Sequence, residues 1–166
     1  MVPLHGGIIA SMSVQLFDAI RAGDREEVER LLLLDRSLIH AKEKGLSPIL
    51  VAAYSLKPQL ADFLADKTVT LNIFEAAALG RSTHLVRLLA RNPELVNAFA
   101  DDGFQPLGLA CFFGHLEAAD YLVRAGASVN TSSNNELQAT PLQSAIAGGH
   151  VPIVKMLLKH GAQPNV

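Results

Sequence analysis

The chain has 166 residues, enough for one domain with a sizeable core. Apolar residues make up 49% and charged residues 18%, which excludes a disordered chain and leaves room for more exposed apolar surface than usual. A net charge of −2 without any run of Lys or Arg argues against a nucleic-acid partner, and a single cysteine excludes a disulfide framework or a multi-cysteine metal site.

Taken in chain order, residues 1–12 (MVPLHGGIIASM) carry no Lys or Arg and only a very short apolar stretch, so they do not read as a signal peptide. They are expected to be an extension outside the fold: a start-site artefact, a cloning remnant or a loose tail. No apolar run in the chain approaches the ~18 residues that span a bilayer, so no membrane partner is expected. The lone cysteine fits a reducing, cytoplasmic location. The patterned sequence starts with VQLFDAIRAGD, where Ala19 lies four residues and Gly23 eight residues past Gln15. In LSPILVAAY, Ala52 lies four past Pro48. LNIFEAAALGR gives Asn72, Ala76 and Gly80 at the same steps. FQPLGLACFFGH gives Pro106, Ala110 and Gly114, and ATPLQSAIAGGH gives Pro141, Ala145 and Gly149. The five anchors at 15, 48, 72, 106 and 141 are spaced by 33, 24, 34 and 35 residues. Sixteen residues past each anchor stands a Leu: Leu31, Leu64, Leu88, Leu122 and Leu157. A period of 20–50 residues signals a repeat architecture.

Each copy predicts a pair of short helices. Ser47-Pro48 and Thr140-Pro141 place a capping hydroxyl before a proline that suits the first helical position. The first helix ends near Gly23, Gly80, Gly114 or Gly149, and the alanines four past each anchor let a neighbouring helix approach closely. Val28 with Leu31-Leu32, and Val154 with Leu157-Leu158, give the second helix one apolar face. Gly45 and Gly103 suit the turn of a projecting finger. The second helix closes in two ways: DRSLIHA (35–41) and NPELVNA (92–98) in copies one and three, and Gly126-Ala127 and Gly161-Ala162 in copies four and five. Such units cannot bury their apolar faces alone but can do so when stacked.

TPLQSAIAGGHVPIVKMLLKHGAQPN (140–165) resembles an ankyrin repeat, and the resemblance extends over residues 13–166. It implies an all-α ankyrin solenoid of stacked helix-turn-helix units with hairpin-like fingers. One domain over 13–166 is expected, with five repeats at about 13–44, 45–68, 69–101, 102–134 and 135–166. The DRSLIHA and NPELVNA closures resemble a variant common in bacterial ankyrin proteins. The sequence departs from the family at five places. Copy two carries Leu56-Lys57 in place of Gly-His and is about nine residues short, so its second helix or its finger is trimmed. Copy four has Gln105 for Thr and Gly108 for His. Copy five has a long finger, TSSNNELQA, expected to be a mobile loop.

Chemistry finds little support. Cys111 and His115 are four apart, but Cys111 occupies a small buried slot of the repeat and His115 is the structural histidine of the Gly-His turn, as is His150. His40, His84 and His160 are isolated. No catalytic residue, metal site or cofactor is expected. There is no phosphate-binding or dinucleotide glycine pattern.

The resemblance implies binding through a concave face built from the finger tips and the exposed side of each first helix. That face would hold Leu46, Tyr54, Leu79, Asp101, Asp102, Phe104, Phe112 and Phe113, with Arg21, Lys42, Glu43, Lys44 and Glu136 at its rim. Phe104, Phe112 and Phe113 are either partner contacts or fold back onto neighbouring repeats; Asp101-Asp102 is a solvated turn or a contact. The expected partner is a protein. The alternatives are the recognition arm of a larger enzyme or regulator, and a homo-oligomer through the last repeat, whose GAQPNV reads like an internal close. A small-molecule ligand is a weaker reading, because no polar pocket is evident.

Overall fold

A computed structural model describes the backbone of residues 5–164 and the side chains of residues 11–164. The described residues form ten α-helices and two 3-10 turns, with one isolated bridge where Glu43 and Leu46 exchange both backbone hydrogen bonds at 3.0 Å. By their internal contacts the residues fall into two compact units, one ending at Val69 and the other starting at Thr70.

The first unit holds α1 (His5–Ala22), α2 (Arg25–Leu34), a 3-10 turn (Arg36–His40), α3 (Pro48–Tyr54) and α4 (Pro58–Lys67). The expected extension over residues 1–12 is therefore helical from His5 onward and continuous with the first repeat. Residues 1–4 lie outside the described residues. Here α1 packs on α2 and α3, and α3 packs on α4. Leu16, Ile20, Val28, Ala52 and Leu64 are fully buried at the centre.

The second unit holds α5 (Ile73–Ala78), α6 (Ser82–Arg91), a 3-10 turn (Pro93–Asn97), α7 (Pro106–Phe112), α8 (Leu116–Arg124), α9 (Pro141–Ala147) and α10 (Val151–Lys159). α7 sits between α5 and α9, and α8 between α6 and α10. Ala76, Ala110 and Ala145, one on each first helix, are fully buried. A longer side chain there would hold the first helices apart, which is why the repeat keeps alanine at this step.

The caps follow the sequence, with one addition. Ser47 Oγ accepts from Leu50 N at 3.4 Å. In α9, Thr140 Oγ1 accepts from Gln143 N at 3.3 Å while Gln143 Oε1 accepts from Thr140 N at 2.8 Å. Asn72, which has no proline after it, builds the same reciprocal box with Glu75: each side chain accepts from the other's backbone N–H at 2.9 Å. Gln105, standing where threonine was expected, makes no cap; its Nε2 donates to Asn97 O at 2.8 Å.

The shortened second repeat keeps both helices. It is the finger that is missing: residues 68–72 are all that separate α4 from α5. At the turn inside this repeat, Leu56 adopts φ +57, the left-handed conformation that Gly114 adopts at φ +85 in the fourth repeat. Leu56 is 78% exposed, so little packing compensates. Leu56→Gly should raise stability by about 0.5–1 kcal/mol, because relief of the left-handed backbone exceeds the added chain entropy of glycine in the unfolded state. A higher urea midpoint checks this; a lower one would mean that the leucine side chain, though exposed, holds the turn.

Candidate functional site

The expected binding residues fall in both units and are described unit by unit. In the first, Leu46 ends the Glu43–Leu46 turn and Tyr54 ends α3, both half-exposed. Arg21 at the end of α1 pairs with Glu43 and, at 3.3 Å, with Asp18.

In the second unit, Leu79 caps the end of α5, half-exposed. Ala78 beside it is buried, so the row of first-helix ends is not uniformly open. Phe112 and Phe113 lie at the end of α7, half-exposed, their rings edge to face with centroids 5.1 Å apart. Phe104 is half-exposed two residues before α7, beside Gly108; a methyl group on Gly108 would sit 3.6 Å from its ring. That is an ordinary contact distance, so the backbone at Gly108, which replaces the family histidine, has room for a methyl group beside the ring.

Asp101, Asp102 and Gly103 form the tip of the finger before α7. Asp102 Oδ1 accepts from Phe104 N at 3.1 Å. The next finger, expected to be mobile, is hydrogen-bonded internally and to this tip. Ser133 Oγ accepts from Ala139 N at 2.9 Å, Asn135 Oδ1 accepts from Leu137 N at 3.1 Å, and Asn135 Nδ2 donates to Asp102 O at 2.7 Å. Asn134 N donates to Gly103 O at 2.7 Å. Asp101 is exposed and Asp102 half-buried, so the finger presents a fixed acidic tip.

The two Gly-His histidines clasp neighbouring repeats. His115 Nε2 lies 2.9 Å from Ala78 O, and His150 Nε2 lies 3.0 Å from Phe112 O. A carbonyl only accepts, so each Nε2 carries the proton. His150 thereby fixes the end of α7 from which Phe112 and Phe113 project. Cys111 is fully buried, and burial pushes its thiol up to about 12, so no thiolate forms near neutral pH. Among the described residues no group of three or more His, Cys, Asp or Glu could hold a metal ion, and no helix is long and apolar enough to cross a membrane.

One concavity was not anticipated. In the first unit a cleft of about 370 Å³ lies between α2, the turn Arg36–His40 and the end of α4. The signal that could have located it is the missing finger of the second repeat.

Residues 73–166 match the family described as ankyrin repeats in three copies. An ankyrin repeat and KH domain-containing protein of Caenorhabditis briggsae is 29% identical over 157 residues, covering 86% of this chain and 6% of that protein. A palmitoyltransferase of Kluyveromyces lactis is 51% identical over 57 residues, 34% of this chain and 7% of its own length. The ankyrin repeat protein nuc-2 of Neurospora crassa is 34% identical over 88 residues, 53% of this chain and 8% of that protein. The chain thus spans less than a tenth of the length of these relatives, all of which are eukaryotic. Ankyrin repeats serve in general as protein–protein interaction modules and mainly do no chemistry of their own. The helix pairs, the left-handed glycine turns, the histidine clasps and the match over residues 73–166 agree: this chain belongs to the ankyrin repeat family.

Proposed function

We propose that the chain binds a protein partner, without catalysis, through the face formed in residues 70–166 by the finger tip and the first-helix ends. The observation that carries this reading is the Phe112–Phe113 edge-to-face pair, left half-exposed on a frame held by His150 below and by hydrogen-bonded fingers beside it. Aromatic anchors are typical of interface hot spots, and a preformed frame loses little ordering entropy on association. Leu79 and Phe104 extend the apolar centre; Asp101 and Asp102 supply an acidic edge that would favour a partner with a basic rim. Leu46 and Tyr54 serve the same role in residues 1–69. The reading places the protein in the cytoplasm, with its buried cysteine reduced, and gives it neither nucleic acid nor membrane as partner.

The test is capture from a lysate of the source organism by the chain and by its Phe112→Ser/Phe113→Ser variant, with helicity checked by circular dichroism. A protein held by the first and lost by the second supports the reading. Equal capture by both moves the site off this face. No capture by either, in lysates across growth conditions, removes it.

A second reading rests on the last repeat, where Ile146 and Val151 are about three-fifths exposed and Leu158 nearly half. Those side chains suit a second copy stacked end to end. Light scattering that shows mass rising with concentration, abolished by Ile146→Asp, supports it; a constant monomer mass overturns it. A further alternative is that these repeats are the recognition arm of a larger enzyme or regulator.

A further inference from the structure

In residues 70–166 the segment after each second helix seals against the next. Asn97 Nδ2 donates to Gly126 O at 3.1 Å, and its Oδ1 accepts from Ser128 N at 2.9 Å. Asn130 repeats this clasp with Gly161 O at 3.1 Å and Gln163 N at 2.8 Å. Aligning DRSLIHA with NPELVNA puts His40 where Asn97 stands and Ile39 where Val96 stands. Val96 is buried, but Ile39 is half-exposed and His40 exposed. The cause is the shortened second repeat. After α4 only residues 68–72 precede α5, and they form no 3-10 turn of the kind seen at Pro93–Asn97.

What is left is the cleft of about 370 Å³. Leu32, Ile39 and Phe63 give it an apolar floor, and Val69, 95% exposed, stands at its mouth beside Leu33, 80% exposed. Its permanent charges are Arg36 and Lys67 against Glu29. Lys67 Nζ lies 3.8 Å from Glu29 Oε1 and 5.0 Å from the centre of the Phe63 ring. Arg25 lies 4.5 Å from the centre of the same ring but does not line the cleft. The positive charge therefore exceeds the negative around an apolar hollow. Its volume falls at the lower end of the ~300–1,000 Å³ of small-molecule sites.

We infer that this cleft binds a small amphipathic carboxylate, a medium-chain alkyl acid, with its head between Arg36 and Lys67 and its chain on Leu32, Ile39 and Phe63. A cationic amphiphile of the same length would meet like charge at the head position. A neutral alcohol would forgo the charge-assisted hydrogen bonds that arginine and lysine offer a carboxylate.

The test is a titration of the whole, isotope-labelled chain with sodium decanoate, followed through backbone amide resonances. Saturable shifts should concentrate at residues 32–40 and 63–69, and decyltrimethylammonium should not reproduce them. Arg36→Glu/Lys67→Glu, a change at side chains open to solvent, should weaken binding about tenfold by turning two attractions into repulsions. Val69→Asp, at a position that packs against nothing, should weaken it as well. The inference is overturned by shifts that do not saturate at millimolar decanoate, by an equal response to the cationic amphiphile, or by charge reversal without effect. It is also overturned if an acidic, apolar peptide shifts these resonances and decanoate does not, since the cleft would then be a peptide site.

Discussion

Gly114→Ala should lower the stability of residues 70–166 by about 3 kcal/mol, by adding a backbone penalty to a broken clasp. Gly114 has φ +85, where a Cβ costs about 1–2 kcal/mol before any contact is counted. That Cβ would also stand 2.4 Å from Cε1 and 2.7 Å from Nδ1 of His150. The imidazole must move, and its Nε2 bond to Phe112 O, 3.0 Å long, goes with it. A partly buried carbonyl left without its donor costs about 1–3 kcal/mol. His150→Ala separates the two contributions. It removes the bond and the clash together, so the double variant should lose less than the two single losses added. Urea unfolding followed by circular dichroism reads all four chains. A loss below about 1 kcal/mol for Gly114→Ala would mean that the ring rotates aside and keeps its bond, and the clasp would then be no fixed part of the repeat. Because the same carbonyl ends the helix that carries Phe112 and Phe113, the variant should also weaken partner capture if the proposed face is the binding face.

The Gly-His step shows how far the sequence could be read. As a turn it was plain, since glycine eight residues past the anchor fits a left-handed helix end. Its second role was hidden, because His115 and His150 bond carbonyls 37 and 38 residues earlier in the chain. Local spacing carries no mark of a partner one repeat away. The caps divide likewise: Ser47 and Thr140 announce themselves before a proline, whereas the Asn72–Glu75 box at a proline-free anchor passed unnoticed. For the candidate face, the expected Phe112 and Phe113 do stand half-exposed at a helix end, whereas Ala78, next to the expected Leu79, is buried. The loop at 131–139 was expected to be mobile because it is long; side chains such as Ser133 and Asn135 bond the loop's own backbone and Asp102. The cleft in residues 1–69 was the least legible feature. It arises from residues that are missing, and a deletion does not state what remains around it.

Leu122→Ala should destabilise residues 70–166 by about 3–5 kcal/mol, and Leu88→Ala by only about 1–2 kcal/mol, although both leucines hold the same place in the repeat. Each is the seventh residue of its second helix, Leu122 in α8 and Leu88 in α6. Leu122 is fully buried between neighbours on both sides, so its removal leaves a cavity that α6 and α10 must collapse to fill. Leu88 is half-exposed. The difference lies in which stripe each helix turns inward. α8 and α10 bury their third and seventh residues, Ala118 with Leu122 and Ile153 with Leu157. In α6 the third residue is His84, whose Nδ1 is buried without a hydrogen-bond partner among the described residues. Burying that side of the helix more deeply would add to the cost of an unsatisfied polar atom. The helix instead buries its fourth and eighth residues, Leu85 and Leu89, a stripe rotated by one position. Five leucines at one spacing therefore do not make five equal core positions, because a repeat fixes the place in the chain while the neighbouring side chains fix the helix's rotation. Equal losses for Leu122→Ala and Leu88→Ala would show that spacing alone sets burial. A further variant, His84→Ala, should bring them closer by allowing α6 to turn Leu88 inward.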